Sequence, residues 1–338
     1  EIGIPIENIN KKELKRRGHE IGDILGCDEK GEEICVRKGK GNLYVDGDME
    51  KEQLFDFMRS QIYQNIQRGD SMVIVDLGSR IYKRELWIYL TIHGYRVDSY
   101  NMDCMTESDC FNCLDGLGAE NEEQIVMIAN DIIDDQKYKF MTYPVETACK
   151  ALLSAVLLAS LTEMEESDRN MLEIATIFRL GVSGTMLDKI LHVMFEELDE
   201  TSSAKQLFAM YSEAEEGIRM EAIQKIGNAL AVYEKRANGS LCDNFRTNRY
   251  DMEMPVKEKS VLFIESGQLP EDKVLFSVFM ERLYDSMLKK AEERQQDVTV
   301  MLLDYPYYGG LCGLEKYMEE GPELSLIHIS EPTRLRCI

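Results

Sequence analysis

The first third of the chain alternates between a helical period and short runs of apolar residues. Apolar side chains recur about every four residues at Leu54, Met58, Ile62 and Ile66, which predicts a helix over 49–68 that ends at Gly69. Strands are predicted over 34–36, 43–45, 72–75 and 95–100, and a second helix over 80–93. Because strands and helices alternate with short links, we predict a parallel sheet with right-handed crossovers.

The middle of the chain changes to an all-helical pattern. Helices follow one another from 145 to 237, and then a strand at 260–264, a helix at 270–295 and a strand at 298–303 restore the first pattern. The helical stretch is therefore predicted to be an insertion in an α/β layer. The predicted organisation comprises lead-in strands over 1–41, an α/β domain over 42–140 and 255–323, and an inserted all-α domain over 141–254.

Both ends of the sequence indicate an incomplete reading frame. The first residue is Glu1 rather than methionine, which indicates that the start is missing. The segment LSLIHISEPTR at 324–334 resembles the translation of a transposon-derived sequencing-library adapter, with read-through over 335–338. We therefore expect 324–338 to be an artefact outside the fold, and the natural product to continue past Glu323.

The balance of charge limits the choice of partner. Thirty-nine basic residues against 62 acidic ones give a net charge of −23, which repels nucleic-acid phosphates unless basic groups are locally concentrated. The dense basic turn RKGKG at 37–41 is either a solvated hairpin turn or a group that approaches phosphates. The acid-rich stretches 162–173 and 196–216 are either solvated helix faces or a docking surface for a basic partner.

Cysteine usage and hydropathy favour a reduced, cytoplasmic chain. The nine cysteines lack matched C-x-x-C pairs, and the sequence opens without a secretory leader. Cys104, Cys110 and Cys113 cluster in one loop and could supply three thiolates to a metal, although a fourth ligand and the usual spacing are missing. The longest apolar run, 151–161, is too short to span a bilayer. We expect neither a metal site nor a transmembrane helix in this sequence.

The predicted turn between the strand at 43–45 and the first helix has unusual chemistry. A phosphate-binding loop in such a turn follows G-x-x-x-x-G-K-[ST], whose backbone N–H groups and lysine bind phosphates and whose hydroxyl holds magnesium. Here Asp46, Asp48 and Glu50 occupy the turn. Since carboxylates repel a triphosphate, the turn argues against ATP as the ligand.

Three segments, in order along the chain, are similar to segments of one known family. VIVDLGSRIYKRELWIYLTIHGYRVDSYNM at 73–102 is similar to a family segment that reads roughly VVTDPKGELYRKTAKYLREKGYKVKVLNL. VETACKALLSAV at 145–156 is similar to the opening of the family's all-α domain. VMLLDYPYYGGLCGLEKYMEE at 300–320 is similar to its Walker B strand and the following segment, usually LIDEFANIGxIPxLEKL. The chain thus resembles the TraG/TraD-type coupling proteins of conjugative type IV secretion. This resemblance implies a P-loop NTPase-like, RecA/FtsK-like α/β fold, with a mostly parallel sheet and an inserted all-α domain.

Six residues stand at or beside the ATPase elements of that family, and most of the residues around them differ from the family pattern; they are Gly47, Asp48, Lys51, Asp76, Asp304 and Tyr305. The stretch that aligns with the family loop GxxGxGKT is shortened and has no Lys-Ser or Lys-Thr pair. Asp304 matches the Walker B aspartate that holds the water shell of magnesium, but Tyr305 replaces the glutamate that orients attacking water. Asp76 matches the aspartate of TDPKGE, whose remaining residues are replaced. We interpret these positions as a vestigial nucleotide and magnesium site, with no assigned catalytic residue and no cofactor.

Three functions remain open. The first is a non-catalytic, coupling-protein-like scaffold that recruits or regulates transfer substrates. The second is an active ATP-driven DNA translocase, whose atypical site binds ATP and magnesium alone or with a partner subunit. The third is a cytoplasmic interaction protein unrelated to conjugation.

For the first two functions, the resemblance implies particular partners and a location. The partners are a relaxase or other transfer substrate, secretion-channel proteins, and further subunits of a homo- or hetero-oligomer. Single-stranded DNA is expected only within an assembled ring, in accord with the acidic net charge. The expected location is the inner face of the plasma membrane if upstream transmembrane helices exist.

Overall fold

The computed structural model describes residues 24–27, 33–35, 43–46, 51–76, 81–134, 141–179, 183–237, 243–265, 272–290, 293, 295–303 and 325–330. These residues divide into two compact units. The sheet unit comprises residues 1–101, 251–268 and 283–338. The helical unit comprises residues 102–250 and 269–282. The helical unit therefore begins earlier than the predicted 141–254, because the helix before residue 141 packs on the helix after it.

The elements alternate first, then become helical, then alternate again. The first elements are β1 (Ile24–Cys27), β2 (Glu33–Cys35), β3 (Leu43–Asp46), α1 (Lys51–Arg68), β4 (Ser71–Asp76), α2 (Ile81–Ile92) and β5 (Arg96–Asn101). The helical run consists of α3 (Glu122–Asp134), α4 (Tyr143–Glu163), α5 (Met171–Arg179), α6 (Gly184–Glu196), α7 (Ser203–Ser212), α8 (Glu216–Arg236) and α9 (Asp243–Arg246). The last elements are α10 (Met254–Lys257), β6 (Ser260–Glu265), α11 (Asp272–Lys289), β7 (Val298–Leu303) and β8 (Ser325–Ser330). The predicted alternation is confirmed.

The main sheet is parallel throughout. Among the described residues, six strands lie in the order β3-β8-β7-β4-β6-β5, and every neighbouring pair runs in the same direction. This arrangement confirms the predicted parallel sheet. Strand β2 pairs antiparallel with β1, while β3 pairs with β8, so the described strands on either side of the basic turn have different partners. Residues 37–41 themselves lie outside the described residues.

Strand β8 belongs to the segment that the sequence analysis placed outside the fold. Its Ile327 lies level with Leu43 of β3 on one side and with Met301 of β7 on the other. Residues 325–330, which the adapter interpretation set aside, therefore form a strand of the main sheet. A short stretch rich in β-branched residues can pair with parallel strands whatever its origin. That the segment derives from an adapter remains a prediction.

The core of the sheet unit joins α1 and α2 to one face of the sheet. Fully or almost fully buried side chains from both helices and from β4, β6 and β7 form one cluster, with its members at Met58, Ile62, Ile66, Met72, Ile74, Leu86, Leu90, Tyr95, Val261, Phe263 and Met301. The opposite-facing side chains of β4 and β6, including Val73 and Leu262, are buried as well. Strands covered on both faces explain the uninterrupted apolar runs of the sequence.

Polar contacts fix the end of α1 against the sheet. Gly69 has a φ of 87°, which ends the helix where the sequence predicted. The side-chain oxygen of Asn65 accepts hydrogen bonds from Thr299 Oγ1 at 2.7 Å and from Arg68 Nη2 at 2.8 Å. Tyr95 Oη donates to the carbonyl oxygen of Asp70 at 3.0 Å. These bonds hold the start of β4 and therefore fix the register that places Asp76 at its other end.

Helix α4 is the central helix of the helical unit. It packs against α3, α7 and α8, and its buried side chains cover most of its circumference. Among the described helices, α4 alone is long and apolar enough to cross a membrane, and 72% of its most apolar window is buried inside the protein. The core helix of a folded domain has the same length and composition. Burial in the helical unit therefore accounts for the apolar run at 151–161.

A buried carboxylate joins three helices of the same unit. Asp188 of α6 accepts a hydrogen bond from Tyr211 Oη of α7 at 2.7 Å, and bonds from Arg219 Nε and Nη2 of α8 at 3.2 and 3.1 Å. Burial raises the pKa of Asp188, but the bonds from Arg219 and Tyr211 outweigh it and hold this pKa below its ordinary value. Beside this network, the rings of Phe195 and Phe208 stack at 4.2 Å. The orientation of α6 is thus fixed from its inner side.

Candidate functional site at the carboxyl edge of the sheet

Three buried polar residues lie side by side where neighbouring strands of the parallel sheet end. Asp76 ends β4, Glu265 ends β6 and Asn101 ends β5, and the strand register places Glu265 level with the other two. Their exposed fractions are only 3%, 3% and 2%. Open parallel sheets bind ligands at this carboxyl edge, so a polar group here is a candidate site.

Glu265 is the acceptor at the centre of this group. Its Oε2 atom accepts hydrogen bonds from Lys83 Nζ at 3.2 Å, Ser99 Oγ at 3.3 Å and Asn101 Nδ2 at 3.2 Å. Lys83 Nζ also donates to Ser99 Oγ at 2.8 Å. Because three donors converge on one carboxylate oxygen, the negative charge at the end of β6 is held in a fixed position.

Lys83 supplies the positive charge of the group from α2. Its side chain is 16% exposed and that of Glu265 is 4% exposed, so the pair is largely withdrawn from water. The ammonium nitrogen also lies 5.9 Å from the ring centroid of Trp87, the single tryptophan of the sequence. Burying a carboxylate requires a counter-charge, and Lys83 provides one that is part of the fold itself.

Of the residues predicted for a nucleotide site, Asp76 is the one whose side chain the structure describes. It lies at the edge of the polar group, next to Glu265 in the register. Lys51 is the first residue of α1, and Gly47 and Asp48 fall in the four-residue link between the end of β3 at Asp46 and that helix. Gly47 and Asp48 lie outside the described residues, and so does the side chain of Lys51.

The predicted Walker B residues follow the strand next to β4. Strand β7 ends at Leu303 and pairs with β4 in parallel register. Asp304 and Tyr305 come directly after it and lie outside the described residues. The predicted strand over 298–303 is therefore found, while the chemistry assigned to its end stays a prediction.

Sequence reasoning missed Glu265, Ser99, Asn101 and Lys83. The signal for Glu265 was present, because it is the first polar residue after the apolar run at 261–264, as Asp76 is after the run at 72–75. Ser99 and Asn101 gave no comparable signal, since they alternate with other residues along β5. Lys83 is one of several charged residues on α2, and only the packing of this helix brings it to Glu265.

The clustered cysteines do not form a metal site in the part of the chain that is described. No group of three or more His, Cys, Asp or Glu side chains there is arranged to hold a metal ion. Cys110 and Cys113 are buried, and Cys104 is partly exposed. Burial raises the pKa of the Cys113 thiol to about 12, so this group carries a proton at neutral pH.

The fold matches that of solved conjugative coupling proteins. A structure titled bacterial conjugative coupling protein TrwBdeltaN70, in an unbound monoclinic form, aligns with a TM-score of 0.63 and 14% identity over 96% of this chain and 69% of its own. The plasmid coupling protein TrwB in complex with the non-hydrolysable ATP analogue ADPNP aligns with a TM-score of 0.61 and 15% identity over 96% and 70%. Its complex with the GTP analogue GDPNP gives 0.58 and 13% over 96% and 71%. No protein-family model and no curated protein matches the sequence.

These similarities define the fold class of the chain. It is a P-loop NTPase-like α/β fold with a parallel sheet and an inserted helical unit, as the sequence predicted. The fold is that of TraG/TraD-type coupling proteins, as the TrwB structures show it. At 13 to 15% identity the likeness extends to the fold and leaves the chemistry of the site to this chain's own residues.

Proposed function

We propose that this chain is a coupling-protein-like component of a conjugative DNA-transfer system that acts without hydrolysing ATP. In this role it is a scaffold that recruits or regulates transfer substrates. The similarity of the fold to a conjugative coupling protein supports a place in a DNA-transfer system. The link between β3 and α1 supports the loss of ATPase chemistry, and it is the observation that carries the proposal.

The link has four residues, from Gly47 to Glu50, between the last residue of β3 and the first of α1. A phosphate-binding loop needs six residues from its first glycine to the glycine before its lysine, so that backbone N–H groups can surround the phosphates. This link is shorter, carries Asp48 and Glu50, and is followed by Lys51 and Glu52 rather than by Lys and Ser or Thr. The sequence therefore lacks the second glycine of the motif and the hydroxyl that holds magnesium.

The proposed partners follow from the proposed place in a conjugative DNA-transfer system. They are a relaxase or other transfer substrate, secretion-channel proteins, and copies of this chain or of an active relative in an oligomer. Single-stranded DNA would contact the chain only inside an assembled ring, because the net charge of −23 opposes binding to the free protein. The proposed location is the inner face of the plasma membrane.

A working ATP-driven translocase is the second candidate. Lys51 stands at the first position of α1, and the N-terminus of a helix favours a bound phosphate. The neighbour TrwB was also solved with ADPNP and with GDPNP. These two observations keep a nucleotide role open to experiment.

A titration with a fluorescent ATP analogue and magnesium distinguishes the two candidates. For the scaffold we expect no saturable binding up to millimolar analogue, in the wild-type protein or in Asp304→Ala. Micromolar binding that Asp304→Ala abolishes would refute the scaffold and favour the translocase. Asp199→Asn, which removes an exposed carboxylate of the helical unit, is the matched control, and circular dichroism verifies that each variant folds.

A further inference from the structure

Helix α6 has two apolar faces, and only one of them is buried. Leu187, Leu191 and Phe195 point inward and are at most 3% exposed. On the outer side, Met186, Val193 and Met194 are 51%, 60% and 54% exposed, and Ile190 between them is partly buried. We call these four residues the α6 stripe.

The α6 stripe has the spacing of a helix-binding surface. Its residues stand at positions i, i+4, i+7 and i+8, which form a continuous strip along two turns, about 12 Å long. Isolated exposed apolar residues are common on proteins, whereas a strip along one helix face indicates a contact. Two of its four side chains are methionines, which adapt their shape to different apolar partners.

The fold itself does not need this strip. The inner side of α6 is fixed by the hydrogen bonds of Asp188 to Tyr211 and Arg219 and by the stack of Phe195 on Phe208. The outer strip is therefore presented on a rigid helix, so that a partner would bind without reordering α6.

Charge around the stripe selects the kind of partner. Exposed Glu196, Glu197 and Asp199 follow its C-terminal end, where the helix dipole adds further negative potential. Over residues 183–200, Lys189 is the only lysine or arginine. A second copy of the chain, with a net charge of −23, would be repelled from such a surface.

We propose that the α6 stripe is the docking site for a basic amphipathic helix of another protein. The apolar face of that helix would cover Met186, Ile190, Val193 and Met194, and its lysines or arginines would meet the acidic end of α6. The inference rests on the recruiting role proposed above, for which it names the chemistry of the recruited partner.

The test measures binding of a synthetic peptide to the intact chain by fluorescence anisotropy. The probe is an 18-residue helix of leucine and lysine, with all leucines on one face. A scrambled peptide of the same composition and a leucine–glutamate peptide are the comparison probes. We expect saturable binding of the amphipathic basic peptide, and binding at least tenfold weaker for the scrambled and acidic peptides.

Paired variants locate the site on the protein. We expect Met186→Gln with Val193→Gln to weaken binding at least tenfold, and Glu196→Gln with Glu197→Gln to weaken it and reduce its salt dependence. The matched control is Ile88→Gln with Ile92→Gln on α2, whose side chains are 70% and 76% exposed. This control should bind within twofold of the wild type.

Several outcomes would overturn the proposal. These are equal affinity for the scrambled peptide, unchanged binding by the α6 variant, or loss of binding in the α2 variant instead. A dimer in light scattering that the α6 variant abolishes would assign the stripe to self-association and would also refute it. Because the peptide experiment contains no nucleotide, a negative result would not contradict the proposal that the chain acts without hydrolysing ATP. Equally, nucleotide binding in the earlier titration would not contradict the proposed docking site on the α6 stripe.

Discussion

The ammonium group of Lys83 balances the buried charge of Glu265 at the end of β6. It contacts both Glu265 and Ser99, and Asn101 completes the set of donors around the same carboxylate oxygen. A buried ion pair adds little over well-packed apolar residues, but loss of one partner leaves a charge with much of its solvation gone. Replacing Lys83 or Glu265 alone should therefore destabilise the fold more than replacing both.

We predict that Lys83→Met lowers the free energy of unfolding by about 2 to 3 kcal/mol, because it leaves Glu265 without its counter-charge. The expected loss lies below the range for a fully buried pair, since Lys83 keeps some contact with water. Urea unfolding at pH 7 measures the change. Arg84→Met, on the exposed side of the same helix, is the control and should change stability by less than about 0.5 kcal/mol.

The companion variant replaces both partners. Lys83→Met with Glu265→Leu should recover at least half of the loss, because no buried charge then remains. If the double variant is as unstable as the sum of the single variants, the two residues do not act as a pair.

At the scale of elements, the sequence predicted the helices and strands of the sheet unit well. The four-residue spacing of Leu54, Met58 and Ile62 gave α1, and Gly69 ended it. The uninterrupted apolar run at 72–75 gave β4, a strand buried on both faces. The type of each element could be predicted because the periodicity of apolar residues indicates which side of a segment is buried.

Unit boundaries were harder to predict than elements. Helix α3 falls inside the predicted α/β domain at 42–140, yet it packs with α4 and α8 in the helical unit. The assignment depends on which neighbour covers the apolar face of the helix. Periodicity shows that such a face exists and does not show what packs on it.

We predict that Asp188→Asn lowers the free energy of unfolding by about 2 kcal/mol at pH 7, because it weakens the bonds from Arg219 and Tyr211 that join α6 to α7 and α8. The pKa of Asp188 is lower in the folded state than its ordinary value of 3.8. The ionised carboxylate therefore stabilises the fold fully above pH 3.8, and this stabilisation is lost as the pH falls through the folded-state pKa. The difference between wild type and variant should therefore shrink below about pH 4.

Thermal unfolding across pH 3 to 7 measures this dependence, with Glu120→Gln at an exposed position as the control. A difference that stays constant down to pH 3 would contradict an ionised Asp188 as the source of the stabilisation.

At the scale of the whole molecule, β8 determines whether β3 joins the main sheet. Within the described strands, β3 pairs with β8, and β8 connects it to β7. The sequence pointed to a foreign origin for this segment, whereas the tertiary structure gives it a position inside the sheet. Origin and packing are separate questions, since backbone hydrogen bonds do not depend on where a sequence came from.

We predict that a chain ending at Glu323 unfolds at a lower temperature than the full chain, with Tm reduced by about 3 °C or more, because β3 and β7 both lose a parallel neighbour. Differential scanning calorimetry measures the change. A chain ending at Ser330 retains β8 and is the control. Equal Tm values for all three chains would show that β8 adds no stability.

The sequence by itself determined the order of elements, the parallel sheet with its helical insertion, and the absence of a Lys-Ser or Lys-Thr pair after the link at 47–50. These features are local, because they depend on periodicity and on residues close together in the chain. Only the tertiary structure decided that Lys83, Ser99, Asn101 and Glu265 share one buried site, and that one face of α6 stays uncovered. Such contacts join residues up to 182 positions apart, and the packing of whole elements determines them.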